Sequence, residues 1–165
     1  MKFEKFVKAL GSNGVIYERG VTGAEFIAER WLASPSCFML IPIGTRSVTS
    51  VGVQAMPPAI DQMIDQIGHT SPATLTKAIM PYADGGIKDC VRVFTNQAGD
   101  LSIPISHEDW SLIEKSDFCE ILYEYDSETE ATTVKALLVK TYPKFPDDED
   151  ELVGIIFPVT MEQEV

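Results

Sequence analysis

The chain is poor in the residues on which metal and cofactor chemistry depends. Its 165 residues hold three cysteines, Cys37, Cys90 and Cys119, and two histidines, His69 and His107. The cysteines are far apart and no C-x-x-C pair occurs. A structural zinc needs about four closely spaced nitrogen or sulfur ligands, which this supply does not provide. An odd number of scattered cysteines reads instead as buried free thiols in a reducing compartment, and so as a cytoplasmic protein. Long apolar runs are also missing. "CFMLIPI" is among the longest, far short of the roughly 18–20 residues of a membrane span. The N-terminal "MKFEKFVKAL" interleaves charged and apolar residues, whereas a signal peptide needs an unbroken apolar stretch.

Motifs for nucleotide or acyl chemistry are absent too. "GSNGVIYERG" has glycines but no lysine, and "ADGGIKD" lacks the spacing of a phosphate-binding loop, so both read as turns. "GTRSVTSVG" does not set Ser47 or Ser50 between the glycines of a nucleophile elbow. His107 falls in the first turn of a helix beside Glu108 and Asp109 and reads as a surface residue, while His69 follows a helix-ending glycine as a loop residue. Cys119 lies on an apolar strand face, where a thiolate is disfavoured. The expectation is a non-enzymatic protein without cofactor or metal.

Acidic charge is abundant and unevenly spread. Residues 1–90 carry eight basic and eight acidic side chains, and the remainder carries five basic against seventeen acidic, so the net charge of −12 lies entirely in the C-terminal half. Such asymmetry marks one acidic face and would repel a phosphate backbone, so no direct nucleic-acid partner is expected.

Periodicity supplies the elements. Phe3, Phe6, Val7 and Leu10 form a helical stripe that Gly11 is placed to end. "VIYER", "FIAERWLAS" and "CFMLIPI" read as a three-stranded meander with Trp31 buried, and "SVTSVGV" as a further strand. "MPPAIDQMIDQIG" predicts a helix with Ile60, Met63, Ile64 and Ile67 on one side. "SPATLTKAIMP" predicts a second helix, capped by Ser71 with Pro72 at its first position and Pro81 as its stop; "YADGGIKD" is loop. "CVRVF" and "LSIPI" form a hairpin about Gly99. "ISHEDWSLIEK" then starts a helix with Ser106 as cap, Asp109 at its third position and Ile105 stapled onto Trp110. "FCEILYEYD", "VKALLVKTY" and "VGIIFPV" follow as strands. Together these elements predict an α+β fold of mainly antiparallel sheet with three to four short helices. It is read as one compact domain over 1–165, with possible sub-halves 1–56 and 90–165 joined by a helical segment 57–89.

The second-half order of strand, helix and three strands is similar to that of DNA sliding-clamp domains, a likeness of element order carried by no residue motif. A clamp sets basic helices against DNA, and Glu108, Asp109 and Glu114 give this helix the opposite charge.

The acid run Asp147–Glu151 completes the picture. No calcium-loop register fits it: starting at Asp147 places Leu152 at position six, and starting at Glu149 places Val153 at position five. The run therefore reads as the tip of an acidic face that meets a protein. The expected partner-binding residues are Tyr123, Tyr125, Asp147, Asp148, Glu149, Asp150 and Glu151, with Tyr142 and Phe145 as further anchors, since tyrosine is enriched at interface cores. The leading expectation is a subunit or accessory component of a larger assembly, self-association included. The alternatives are an acidic inhibitor that imitates nucleic acid, which needs the run to lie beside Asp126, Glu128 and Glu130, and a clamp-like or enzymatic domain.

Overall fold

A computed structural model describes residues 1–21, 27–45, 52–81 and 90–160. Its centre is a ten-stranded sheet in the order β4-β1-β2-β3-β10-β9-β8-β5-β6-β7. The strands are β1 (Val15–Val21), β2 (Ile27–Ala33), β3 (Cys37–Leu40), β4 (Val53–Ala55), β5 (His69–Pro81), β6 (Cys90–Asn96), β7 (Ser102–Ser106), β8 (Asp117–Asp126), β9 (Ala131–Thr141) and β10 (Glu151–Ile156). All neighbours are antiparallel except β1 and β4, which run parallel. The helices are α1 (Phe3–Leu10), α2 (Pro58–Asp65) and α3 (His107–Trp110). The α+β reading holds in its coarse form, with more strand and less helix than the sequence suggests.

Strand alternation sends apolar side chains to both faces of the sheet. Ile16, Leu32, Met39, Ile121, Leu137 and Val139 form one core with Phe6 of α1 and the turn after α3. Trp31, Phe38, Leu122, Leu138 and Ile155 form the other, against Ile60, Met63 and Ile64 of α2. Because β9 is covered on both sides, Ala136, Leu137, Leu138 and Val139 are all buried in succession, and that run loses the polar–apolar alternation of a half-exposed strand. Gly11 ends α1 as expected: it adopts φ +52° and its N–H bonds the Val7 carbonyl. Pairing of β3 with β10 makes the sheet continuous from the first half of the chain into the second.

Two helix expectations are corrected. "SPATLTKAIMP" is strand β5, not a helix. Its first part pairs with β8 from His69 to Ala73, whereas pairing with β6 begins only at Ala73. At Pro72 the strand therefore has one neighbour, and the missing proline N–H costs no ladder bond on the β6 side. A Ser-Pro helix-start signal was overridden by the two strands that flank it. His69 accordingly opens a strand, stacked on Tyr123 with ring centroids 5.6 Å apart. The helix of "ISHEDWSLIEK" is only the single turn α3, although Ser106 Oγ caps it by accepting from the Asp109 amide at 3.1 Å. Of "SVTSVGV", Val53 falls in β4 while residues 47–51 lie outside the described residues, as does all of "YADGGIKD".

The β6–β7 hairpin folds back over the first core, where Phe94, Ile103 and Ile105 pack. A register shift in β5 lies between Leu75 and Ile79, an irregularity of the kind that bends strands. Residues after β10 add two further ties: Phe157 N–H bonds the Ser36 carbonyl at 2.8 Å and Val159 N–H bonds the Pro104 carbonyl of β7 at 2.9 Å.

Candidate functional site

The β8–β9 hairpin decides where the expected partner-binding residues lie. Its register runs from Asp117 opposite Thr141 at one end to Asp126 opposite Ala131 at the other. Glu151 of β10 also sits opposite Thr141, so the loop 142–150 that carries the acid run leaves the first end. Tyr123 and Tyr125 stand at the other, beside the turn 127–130. Strand rise is about 3.3 Å per residue, so the two ends are roughly 30 Å apart. Asp147–Glu151 and the acids Asp126, Glu128 and Glu130 are thus separate groups and form no single array.

At the acid-run end, Pro143 and Pro146 frame a short exposed segment, and the Asp148 N–H closes a turn onto the Phe145 carbonyl at 3.1 Å. Tyr142 is 66% exposed and Phe145 67%. Tyr142 is fixed at its base by Phe118 of β8, whose ring centroid lies 4.5 Å away. Lys140 pairs with Glu120 across the hairpin at 2.8 Å, and Asp147 to Glu151 are all exposed. Two large aromatics and four carboxylates are presented together on one loop, and Glu151, the first residue of β10, adds a fifth at its end.

At the opposite end, a cleft of about 510 Å³ is lined by His69, Ser71, Asn96, Asp100, Tyr123 and Tyr125 among others. Asn96 is buried but fully engaged: its Nδ2 donates to Asp100 Oδ1 and Ser71 Oγ at 2.6 and 3.3 Å, and its Oδ1 accepts from the Leu101 amide at 3.1 Å. These bonds shape the β6–β7 turn, so the cleft's polar centre is committed to structure.

Two charged networks escaped the sequence reading. Arg19 of β1 is buried and binds three carboxylates: Asp61 at 2.8 Å, Glu29 at 3.1 Å, and Asp65. Burial works against its charge, yet the bonds to Asp61 and Glu29 outweigh it and hold the guanidinium more basic than usual. Glu29 also accepts from the Trp31 indole at 3.1 Å. Asp61 and Asp65 are one helical turn apart, beside the apolar stripe of α2, which was the readable signal for a helix-to-sheet tie. The second network is around Asp109, which accepts from Ser36 Oγ at 2.7 Å. Burial pushes the Asp109 carboxyl up against the opposing effect of the Ser36 and Ser106 bonds.

A neighbouring cavity of about 550 Å³ is lined by Ser36, Ser106, His107 and Asp109 among others, but its groups are not set for nucleophilic catalysis. Ser36 donates to a carboxylate rather than to an imidazole. His107 Nδ1 lies 3.3 Å from Arg92 Nε as its acceptor, and burial, then Arg92 and Lys5, lower its pKa. Arg92 also stacks 4.1 Å over Trp110. Burial raises the thiols of Cys37, far up, and of Cys119, to about 12, which disfavours either as a nucleophile. Among the described residues no group of three or more His, Cys, Asp and Glu is placed to hold a metal ion, and no helix is long and apolar enough to cross a membrane. Compared with protein-family models, curated proteins and solved structures, the chain matches none of them.

Proposed function

We propose that the chain is a non-enzymatic interaction protein, a subunit or accessory component of a larger assembly, which meets its partner through the loop 142–151. The observation that supports this reading is the joint exposure of Tyr142 and Phe145 beside five carboxylates. Soluble surfaces carry single apolar side chains commonly, but two large aromatics on one proline-framed loop offer a partner anchor, and the acids supply orientation. Full burial of a phenylalanine side chain is worth about 1.5–3 kcal/mol, or roughly a 10- to 100-fold change in affinity. Affinity capture from the host with the native chain and with Phe145→Ser tests it. Stoichiometric partner recovery that falls by that factor in the variant is expected. Equal recovery by both removes the loop from the contact.

A second reading is an acidic inhibitor that occupies the basic groove of a nucleic-acid-binding protein; it would rest on the exposed acids Asp147–Glu151 alone, since Asp126, Glu128 and Glu130 lie at the far end of the hairpin and do not extend the array. It differs in what the contact depends on. Its binding would weaken steeply with salt and vanish on neutralising Asp147, Asp148, Glu149 and Asp150 together, while tolerating Phe145→Ser.

A further inference from the structure

We infer that the occupant of the loop's partner site is a second copy of this chain, joined about a two-fold axis; this deepens the reading of 142–151 as a contact loop and rests on it. Where β5 leaves β8 beyond Ala73, a cavity of about 560 Å³ opens, with Leu75, Phe94, Trp110 and Phe118 among its walls. Three exposed lysines, Lys2, Lys5 and Lys115, also line it. Two acids share the lining, Glu114 and Asp117. Asp117 is already engaged: its Oδ2 accepts from the Glu114 amide at 2.9 Å and pairs with the Met1 amino group at 2.8 Å. In a chain of net charge −12, the cavity is thus an apolar hollow ringed mainly by cations. Its natural complement is an aromatic side chain flanked by carboxylates.

The segment 142–151 sets Phe145 two residues before a run of five carboxylates, against the single cation Lys144, and it lies next door. Phe118 connects the two: the residue borders the cavity, and its ring lies 4.5 Å from that of Tyr142. Phe145 is not among the cavity walls of its own chain and is 67% exposed. A protruding patch beside its own complementary hollow is self-complementary, because a two-fold rotation seats each loop in the other chain's hollow and forms both contacts at once. The excess negative charge of each chain opposes this approach at long range. At physiological salt the screening length is about 8 Å, so that repulsion fades while pairs in contact persist.

The test uses two charge-reversed full-length chains. One carries Lys5→Glu with Lys115→Glu, which reverses the hollow. The other carries Asp148→Lys with Glu149→Lys, which reverses the loop. Circular dichroism and a native-like melting transition verify that each folds. In 150 mM salt, light scattering is expected to give the native chain twice its 18.2 kDa mass, and each variant alone the monomer mass. An equimolar mixture should recover the dimer, because both contacts become complementary again. A monomeric native chain, a dimer that survives either reversal, or a mixture that stays monomeric overturns the inference. If the inference fails while Phe145→Ser still abolishes recovery of a different polypeptide, the contact loop stands and only its occupant is wrong. If both fail, the loop is not a contact site.

Discussion

Replacing Arg19 by methionine keeps the bulk of a buried side chain and removes its charge. Arg19 is 7% exposed and joins β1 to Glu29 on β2 and to Asp61 and Asp65 on α2. Removing one partner of a buried ion pair costs about 3–5 kcal/mol when the abandoned charge stays buried. Here the Asp61 and Asp65 side chains are 43% and 61% exposed, so water recovers much of their solvation. That discount leaves about 2 kcal/mol. For a chain of this size, each kcal/mol moves the melting temperature by about 2–4 °C, so a loss of roughly 4–8 °C is expected by circular dichroism. Arg19→Lys should recover only part of it, because an ammonium cannot reach three carboxylates with the geometry of a guanidinium. A methionine variant that melts within about 1 °C of the native chain would show that α2 is held by its apolar side chains alone, and would refute the role given to this network.

Asp109 binds its proton more tightly in the folded chain than in the unfolded one. That contribution to stability is complete below the unfolded pKa and is lost as pH rises through the folded pKa. Denaturant titrations should therefore show Asp109→Asn gaining on the native chain between acid and neutral pH; a flat or falling difference contradicts the burial argument. Cys119, with its thiol pushed up to about 12, should resist iodoacetamide at neutral pH in the folded chain and react on unfolding; rapid native-state labelling would contradict its place in the core. Leu137 is fully buried in the most enclosed strand, so Leu137→Ala should cost about 2–5 kcal/mol in urea unfolding, whereas a loss below about 1 kcal/mol would mean that β9 is not central.

How much of this was readable depended on whether the information was local. The stripe of α1, that of α2 as far as Ile64, the β6–β7 hairpin and the β8–β10 strands follow from residue spacing, and the structure keeps them; Ile67 falls beyond the end of α2 at Asp65 and is exposed. The helical reading of "SPATLTKAIMP" fails because Ser71, Pro72 and Pro81 are local punctuation, while the strand is created by β6 and β8, which are remote in sequence. The short α3 is a related case: its cap is local, but Ser111 to Ser116 are drawn into turns, closed in part by the Leu112 and Ile113 amides, that lead into β8. The candidate site was half legible. The exposed aromatic and acidic residues of 142–151 were readable as composition. Their distance from Tyr123 and Tyr125 was not, since it is set by the length of a hairpin that puts the two groups at opposite ends. The lysine-ringed hollow was illegible, because it draws on α1, β5, β6 and the turn after α3.

The central claim, that 142–151 is where this protein meets another chain, is tested most directly by a photo-crosslinking amino acid placed at position 145 and, as a control, at position 125. Irradiation at physiological salt, followed by mass spectrometry, should give one discrete adduct from position 145 and none from position 125. No adduct from position 145, or equal yields from both positions, would contradict it.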